Sequence, residues 1–142
     1  MDNFTIQKII YDLLVANSAL NTLVGGRIYD RAIADTNNVQ YPYIALGDCI
    51  INAKHTNDKI GSDTVQYINI HDKPDLIGHY RIKNIAKEID SVLDRKGNFN
   101  LQTSGYTNTE ISGSIKELQE YQQEGEYIHC FSKYRMYVFE TV

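Results

Sequence analysis

The stretch Asp75–Leu93, DLIGHYRIKNIAKEIDSVL, decides the fold. Its apolar residues recur every three or four positions and predict one long helix with a single apolar face. Lys73-Pro74 ends the segment before it, and Asp75 is the expected N-cap. Such a helix is held by the surface it covers, because each large aliphatic side chain contributes about 1.5–3 kcal/mol when buried. The residues of the expected stripe are Leu76, Tyr80, Ile82, Ile85, Ile89, Val92 and Leu93.

The charged residues of the same helix fall between the apolar positions, so we expect them to form a solvated face. These residues are Arg81, Lys83, Lys87, Glu88 and Asp90.

Two shorter helices are predicted near the N-terminus. Apolar residues at helical spacing indicate a helix over 4–16. Asn17 or Ser18 is then expected to cap a short helix that ends at Gly25-Gly26, where glycine accepts the left-handed conformation of a C-cap. Because these glycines follow a helix, they are not a phosphate-binding loop, whose glycines precede one.

The rest of the chain is predicted to form strands over 27–30, 43–51, 64–71, 106–112 with a continuation over 115–121, and 127–139. A polar loop is expected at 52–63 and a turn at 122–126. The last strand is rich in aromatic and β-branched residues and should be central. This order predicts a single α+β domain over 1–142, with helices packed mainly on one face of an antiparallel or mixed sheet.

Composition and charge narrow the class of protein. The 142 residues carry 14 Lys and Arg against 18 Asp and Glu, and 42% are hydrophobic, as in one soluble folded domain. No apolar run is long enough to span a membrane, and the first residues lack the features of a secretory signal. The net charge of -4 argues against a protein that grips nucleic acid.

Catalytic and metal-binding patterns were not found. Ser62 and Ser112 lack the setting of a nucleophilic serine, and Cys49 and Cys130 are expected to be buried free thiols. Among the four histidines, only His71 and His79, with Asp72 and Asp75, form even a loose cluster, and we expect solvated or capping roles for them. We predict no catalytic residue, metal or cofactor, and the sequence favours an interaction protein over an enzyme.

A basic stripe lies along one side of the last strand, where His129, Lys133 and Arg135 alternate with Phe131 and Tyr137. In a net-acidic domain we expect such cations to pair with carboxylates of a neighbouring strand or subunit, and not to follow a nucleic-acid backbone.

Two stretches, NSALNTLVGGRIYD at 17–30 and YPYIALG at 41–47, resemble the tail-completion, or tail-terminator, family of long-tailed bacteriophages. The closing strand HCFSKYRMYV at 129–138 also fits that pattern. The family's strand before the long helix often ends in Trp-Ser, whereas this chain has Ile70-His71-Asp72.

The resemblance implies a structural virion protein that forms a ring, usually of six copies, on the head-proximal end of the tail tube. The ring would end tail polymerisation and join the tail to the head, with the tail-tube protein and the head-completion or connector protein as partners. Its place would be the tail–neck interface of the virion, and the host cytoplasm during assembly. A lumen that is not basic would let DNA pass without specific binding. No membrane and no cofactor are implied.

Contact residues are expected at the polar loop and turn. Lys54, His55, Asp58 and Lys59 are candidates for contact with the tube or the connector, as are Gln123 and Glu124, with an idle exposed loop as the alternative. Tyr29, Tyr43, Tyr134 and Tyr137 are candidates for packing between subunits, with ordinary core positions as the alternative. Two other functions stay open: a neck or head-completion adaptor, and a small cytoplasmic enzyme or ligand-binding domain.

Overall fold

Three helices and five strands make up the described part of the chain, which in this computed structural model comprises residues 3–30, 39–55, 59–73, 79–94 and 109–141. In chain order they are α1 (Asn3–Val15), α2 (Ser18–Val24), β1 (Ile28–Tyr29), β2 (Tyr43–Ala53), β3 (Lys59–Asp72), α3 (Tyr80–Leu93), β4 (Thr109–Glu124) and β5 (Tyr127–Thr141). None of these helices is long and apolar enough to cross a bilayer.

The strands form one mixed sheet in the order β1-β2-β3-β5-β4. Only the pairing of β1 with β2 is parallel, and the other three pairings are antiparallel. The predicted α+β class is therefore confirmed. β5 pairs along its length with β3 on one side and β4 on the other, so the expectation of a central closing strand is also confirmed.

All three helices cover one face of the sheet, where they bury a continuous apolar core. Alternate residues of each strand point into it, such as Ile68 and Ile70 of β3 and Met136 and Val138 of β5. From α3 the core receives Ile82, Ile85, Ala86, Ile89 and Leu93, which confirms the predicted apolar stripe at Ile82, Ile85, Ile89 and Leu93. The prediction is wrong for Tyr80, which is 65% exposed at the start of the helix.

The start of α3 differs from the sequence prediction. The helix begins at Tyr80 with His79 as the N-cap residue, so Asp75 is not its N-cap, and Leu76 lies outside the described residues. Arg81 in its first turn makes two hydrogen bonds to the carboxylate of Asp72, at 2.6 and 3.0 Å. Because Asp72 is the last residue of β3, this ion pair ties the start of the helix to the end of the strand.

The predicted solvated face of α3 is wrong for Asp90. This residue faces the sheet, where its carboxylate accepts hydrogen bonds from the Tyr134 hydroxyl at 2.6 Å and from Lys116 Nζ at 2.7 Å. A charge can point toward the core here because it is both paired and hydrogen-bonded. Lys83 and Lys87 are exposed as expected.

The caps of α2 follow the sequence prediction. The Asn17 side chain accepts a hydrogen bond from the Leu20 N–H at 2.9 Å, which makes Asn17 the N-cap. Gly25 is the C-cap at φ 60° and ψ 35°, in the left-handed region that favours glycine. Directly afterwards, Arg27 Nε donates to the Pro42 carbonyl at 2.9 Å, so the end of α2 is tied to the start of β2.

The β2–β3 hairpin is longer than its composition suggests. The predicted loop over 52–63 is too wide, because Asn52 and Ala53 pair with Asp63 and Ser62, and β3 begins at Lys59. A glycine permits this pairing, since a Cβ on Gly61 would lie 2.3 Å from the Lys54 carbonyl oxygen. The expected turn at 122–126 is likewise reduced to Gly125 and Glu126. The expected strand at 115–121 is confirmed as part of β4, while residues 101–108 lie outside the described part.

Candidate functional site: the open face and the two ends of the sheet

The face of the sheet opposite the helices is called the open face here, since none of the described helices packs on it. Side chains alternate along each strand, so the odd-numbered residues of β3 and β5 lie on this face. It carries Asp63, Val65, Tyr67, Asn69 and His71 of β3, His129, Phe131, Lys133, Arg135 and Tyr137 of β5, and Ile115, Leu118, Glu120 and Gln122 of β4.

A β-bulge decides which residues of β2 reach the open face. Gly47 and Asp48 together oppose Tyr67, so the alternation of β2 shifts by one residue at this point. The Gly47 carbonyl accepts hydrogen bonds from Gln7 Nε2 of α1 at 2.8 Å and from Gln66 Nε2 of β3 at 3.1 Å, which tie the bulge to both elements. Beyond it, Cys49 and Ile51 pack against the core and Ile50 is 48% exposed on the open face.

A row of rings crosses the open face from β1 to β5. The ring centroids are 5.9 Å apart for Tyr29 and Tyr43, 4.8 Å for Tyr43 and His71, and 4.5 Å for His71 and His129. Burial, and secondarily His129, lower the pKa of His71 to about 4, and burial also lowers the pKa of His129. Both imidazoles are therefore neutral at pH 7, and they pack as aromatic rings in the row.

A second ring pair stands beside a shallow cavity on the same face. Tyr67 and Phe131 stack with centroids 5.1 Å apart. They line an open cavity of about 410 Å³ together with Gly47, Asp48, Ile50 and Asn69. The lining of this cavity combines the aromatic rings and Ile50 with the polar side chains of Asp48 and Asn69.

The predicted pairing of the basic stripe is confirmed for Arg135. Its Nε atom lies 2.8 Å from Glu117 Oε1 and 3.7 Å from Asp63 Oδ1, on the two neighbouring strands. Lys54 Nζ lies 5.1 Å from the centre of the Tyr137 ring. These contacts place cations of the open face against local partners.

The candidate contact residues fall at opposite ends of the sheet. β3 begins at Lys59, beside the loop that holds Lys54 and His55, and it ends at Asp72, which pairs with Ile128 beside the β4–β5 turn. Fourteen residues of strand separate these ends by roughly 40 Å. Lys54, His55, Gln123 and Glu124 are all exposed, Asp58 lies outside the described residues, and for Lys59 only the backbone is described. The structure thus presents a polar surface at each end of the sheet.

No family model matches this sequence, and no curated protein matches it. A solved structure does match. The chain is similar to a chain in the virion of a native gene transfer agent (GTA) particle, with a TM-score of 0.70 and 16% sequence identity. The similarity covers 94% of both chains. At this identity the match shows a shared fold over nearly the whole length.

The four candidate tyrosines divide by exposure. Tyr29 and Tyr137 are each 37% exposed and are available to another molecule. Tyr43 is 4% exposed within the row of rings, and Tyr134 is fully buried against α3. Burial and the hydrogen bond to Asp90 raise the pKa of Tyr134. The alternative of a core position therefore applies to Tyr134.

The cysteines and histidines do not form a reactive centre in the described residues. Cys130 is buried and Cys49 is half-buried, both as free thiols. Burial raises the pKa of Cys49 to about 11, so the reactive thiolate is disfavoured at neutral pH. Within the described ranges, no three His, Cys, Asp or Glu side chains are placed to hold a metal ion.

Sequence reasoning missed the exposed apolar residues of the open face. Ile50, Ile115 and Leu118 are 48%, 50% and 45% exposed. Their sequence context resembles that of a core strand, and each lies on the open face because of a bulge or a register that depends on a distant strand. The sequence alone marks only one part of this face as a solvent-exposed surface. This part is segment 117–127 in β4 and the following turn, which has four Glu and no Lys or Arg.

Proposed function

We propose that this protein is a virion component that forms a ring on the head-proximal end of a phage-like tail tube, ends its polymerisation and joins it to the head. The similarity to a virion chain over 94% of both lengths carries the proposal. The resemblance of residues 17–30 and 41–47 to tail-terminator sequences supports the finer role.

The two polar ends of the sheet fit a subunit that lies between two axial partners. Lys54 and His55 would contact one of them, and Gln123 and Glu124 the other. Asp58 and Lys59, next to the first pair in the sequence, belong to the same proposed contact. With the strands along the tube axis, one end meets the tail tube and the other meets the connector.

The ring is proposed to contain six copies, which together would carry a formal charge of about -24 at -4 each. Such a ring offers DNA no excess of cations along the lumen, so phosphate adhesion does not oppose passage of DNA. The distinct surfaces on the two sides of one subunit suit a head-to-tail contact, which closes into a ring when the rotation allows.

The decisive experiment is assembly with purified tail-tube protein, followed by electron microscopy. We expect the chain to bind one end of each tube as a ring and to stop further growth, and deletion of its gene to give heads with overlong or unfinished tails. Normal virions after deletion would contradict the proposal. Binding to the connector without binding to tubes would instead indicate a neck adaptor.

A paired set of variants assigns the two ends. Lys54→Ala with His55→Ala should reduce binding to one partner, and Gln123→Ala with Glu124→Ala should reduce binding to the other. Both double variants change exposed side chains only, so thermal unfolding should match that of the unmodified protein. If one double variant lost binding to both partners equally, the assignment of one partner to each end of the sheet would be contradicted.

A further inference from the structure

Two strips of complementary charge lie on opposite sides of this subunit. From them we infer that subunits of the ring pack front to back: the open face along β4 of one copy docks on the outer face of α3 of the next. This inference rests on the proposed ring and specifies which surfaces form it.

The acidic strip runs along the open face of the edge strand β4. It consists of Leu118, Glu120, Gln122 and Glu124, which are all exposed. Segment 117–127 contributes -4, equal to the formal charge of the whole chain. Glu117 pairs with Arg135 and Glu126 with Lys73, whereas among the described residues no cation pairs with Glu120 or Glu124. The strip thus offers two carboxylates and an apolar side chain to a basic surface.

The basic strip runs along the outer face of α3. It consists of Tyr80, Lys83 and Lys87, which follow one another at helical spacing and are all exposed, as is Ser91 one turn later. Tyr80 is 65% exposed, more than any other large apolar or aromatic side chain of the described residues. Within that part of the chain, no carboxylate forms an ion pair with Lys83 or Lys87. This strip therefore supplies two cations for the carboxylates of the acidic strip and an exposed aromatic ring for its apolar side chain, Leu118.

The positions of the two strips favour another copy of this chain as the occupant. One lies on the open face and the other on the far side of the helix layer, so they cannot meet within one subunit. Their lengths agree, at roughly 20 Å for Leu118–Glu124 in a strand and roughly 16 Å for Tyr80–Ser91 in a helix. A contact between two different surfaces of the same chain is a head-to-tail contact. A closed ring of more than two copies is built from contacts of this kind.

Cross-linking between introduced cysteines tests this contact. The variant Glu120→Cys with Lys87→Cys is treated with a short bis-maleimide, both in the purified protein at rising concentration and on tail tubes. We expect a ladder of covalent multimers that stops at the ring size, and none from either single variant. In the matched control, Glu120→Cys with Lys8→Cys, the second cysteine replaces Lys8, an exposed residue of α1. This variant should give no ladder.

Charge reversal provides a second measurement. Glu120→Lys with Glu124→Lys, or Lys83→Glu with Lys87→Glu, should weaken self-association about tenfold or more, and the four changes in one chain should restore it. Thermal unfolding of each variant checks that it folds. Rings that form without the ladder and without the charge effect would overturn the front-to-back contact and leave the proposed function standing. If no self-association occurs, alone or on tubes, both proposals fail.

Discussion

Tyr134 and Tyr137 lie three residues apart on the same strand, yet they belong to opposite faces of the sheet and to different environments. Tyr134 is fully buried and donates a hydrogen bond to Asp90 of α3. Tyr137 is 37% exposed on the open face, with Lys54 above its ring. The covered face holds the fold together, and the open face leaves a side chain of the same type accessible to solvent. Whether a residue of β5 is buried or exposed therefore depends more on its even or odd position along the strand than on its residue type.

The largest expected difference between the faces concerns aliphatic side chains. Ile85 of α3 is fully buried, so Ile85→Ala should lower the free energy of unfolding by about 2–5 kcal/mol through lost burial and a residual cavity. Urea denaturation measures this change. The control on the open face is Leu118→Ala, which should stay within about 0.5 kcal/mol. Equal losses for both variants would show that the open face is part of the core.

A smaller effect is expected from the tyrosine hydroxyls. Tyr134→Phe removes the hydrogen bond to the Asp90 carboxylate and should cost about 1.5–3 kcal/mol, as for other hydrogen bonds to charged groups. Tyr137→Phe is the matched control on the open face and should be close to neutral. A neutral Tyr134→Phe would mean that Lys116 alone satisfies Asp90.

The smallest effect concerns pH and tests whether the ring row of the open face contributes to stability. The pKa of His71 is about 4 in the fold against 6.5 in the unfolded chain, so the unfolded state binds more protons in this range. Stability should therefore be full above pH 6.5 and fall as the pH decreases toward 4. Because solvent reaches these half-buried rings, we expect a loss of only about 1 kcal/mol.

The measurement is urea denaturation between pH 7 and 5, where most carboxylates remain ionised. His129→Gln removes the stacked partner, a second imidazole whose pKa is lowered by burial, and should make the profile less steep over this interval. His55→Gln, which changes an exposed imidazole, should leave the profile unchanged. An identical slope in all three proteins would contradict a role for the His71–His129 stack.

Much of the fold was predictable because local spacing and capping chemistry specify it. The α+β class, the apolar stripe of α3, the Asn17 and Gly25 caps and the closing strand all follow from residues close together in sequence. The roles of Arg81 and Asp90 were not predictable in this way. Their partners, Asp72, Lys116 and Tyr134, lie in strands whose position relative to the helix depends on the whole topology.

The candidate site was less predictable than the fold for the same reason. The alternation of β5 places His129, Phe131 and Arg135 on one side, but only its register with β3 brings them beside His71, Tyr67 and Asp63. The negative charge of segment 117–127 was visible in the sequence. The proposed contact of this segment with Lys83 and Lys87 of another copy depends on the fold, which places the two strips on opposite sides of the domain.

The bulge at Gly47 and Asp48 gives β2 one residue more than β3 over the same length of sheet. Removing either residue would leave the other opposite Tyr67 and keep Cys49 opposite Gln66, so Ile50 would still face outward and Ile51 would still face the helices. Removing both would bring Cys49 opposite Tyr67 and exchange the two faces of the far half of the strand. The hairpin can therefore lose one residue at this point, but not two, without exchanging its interior and exterior.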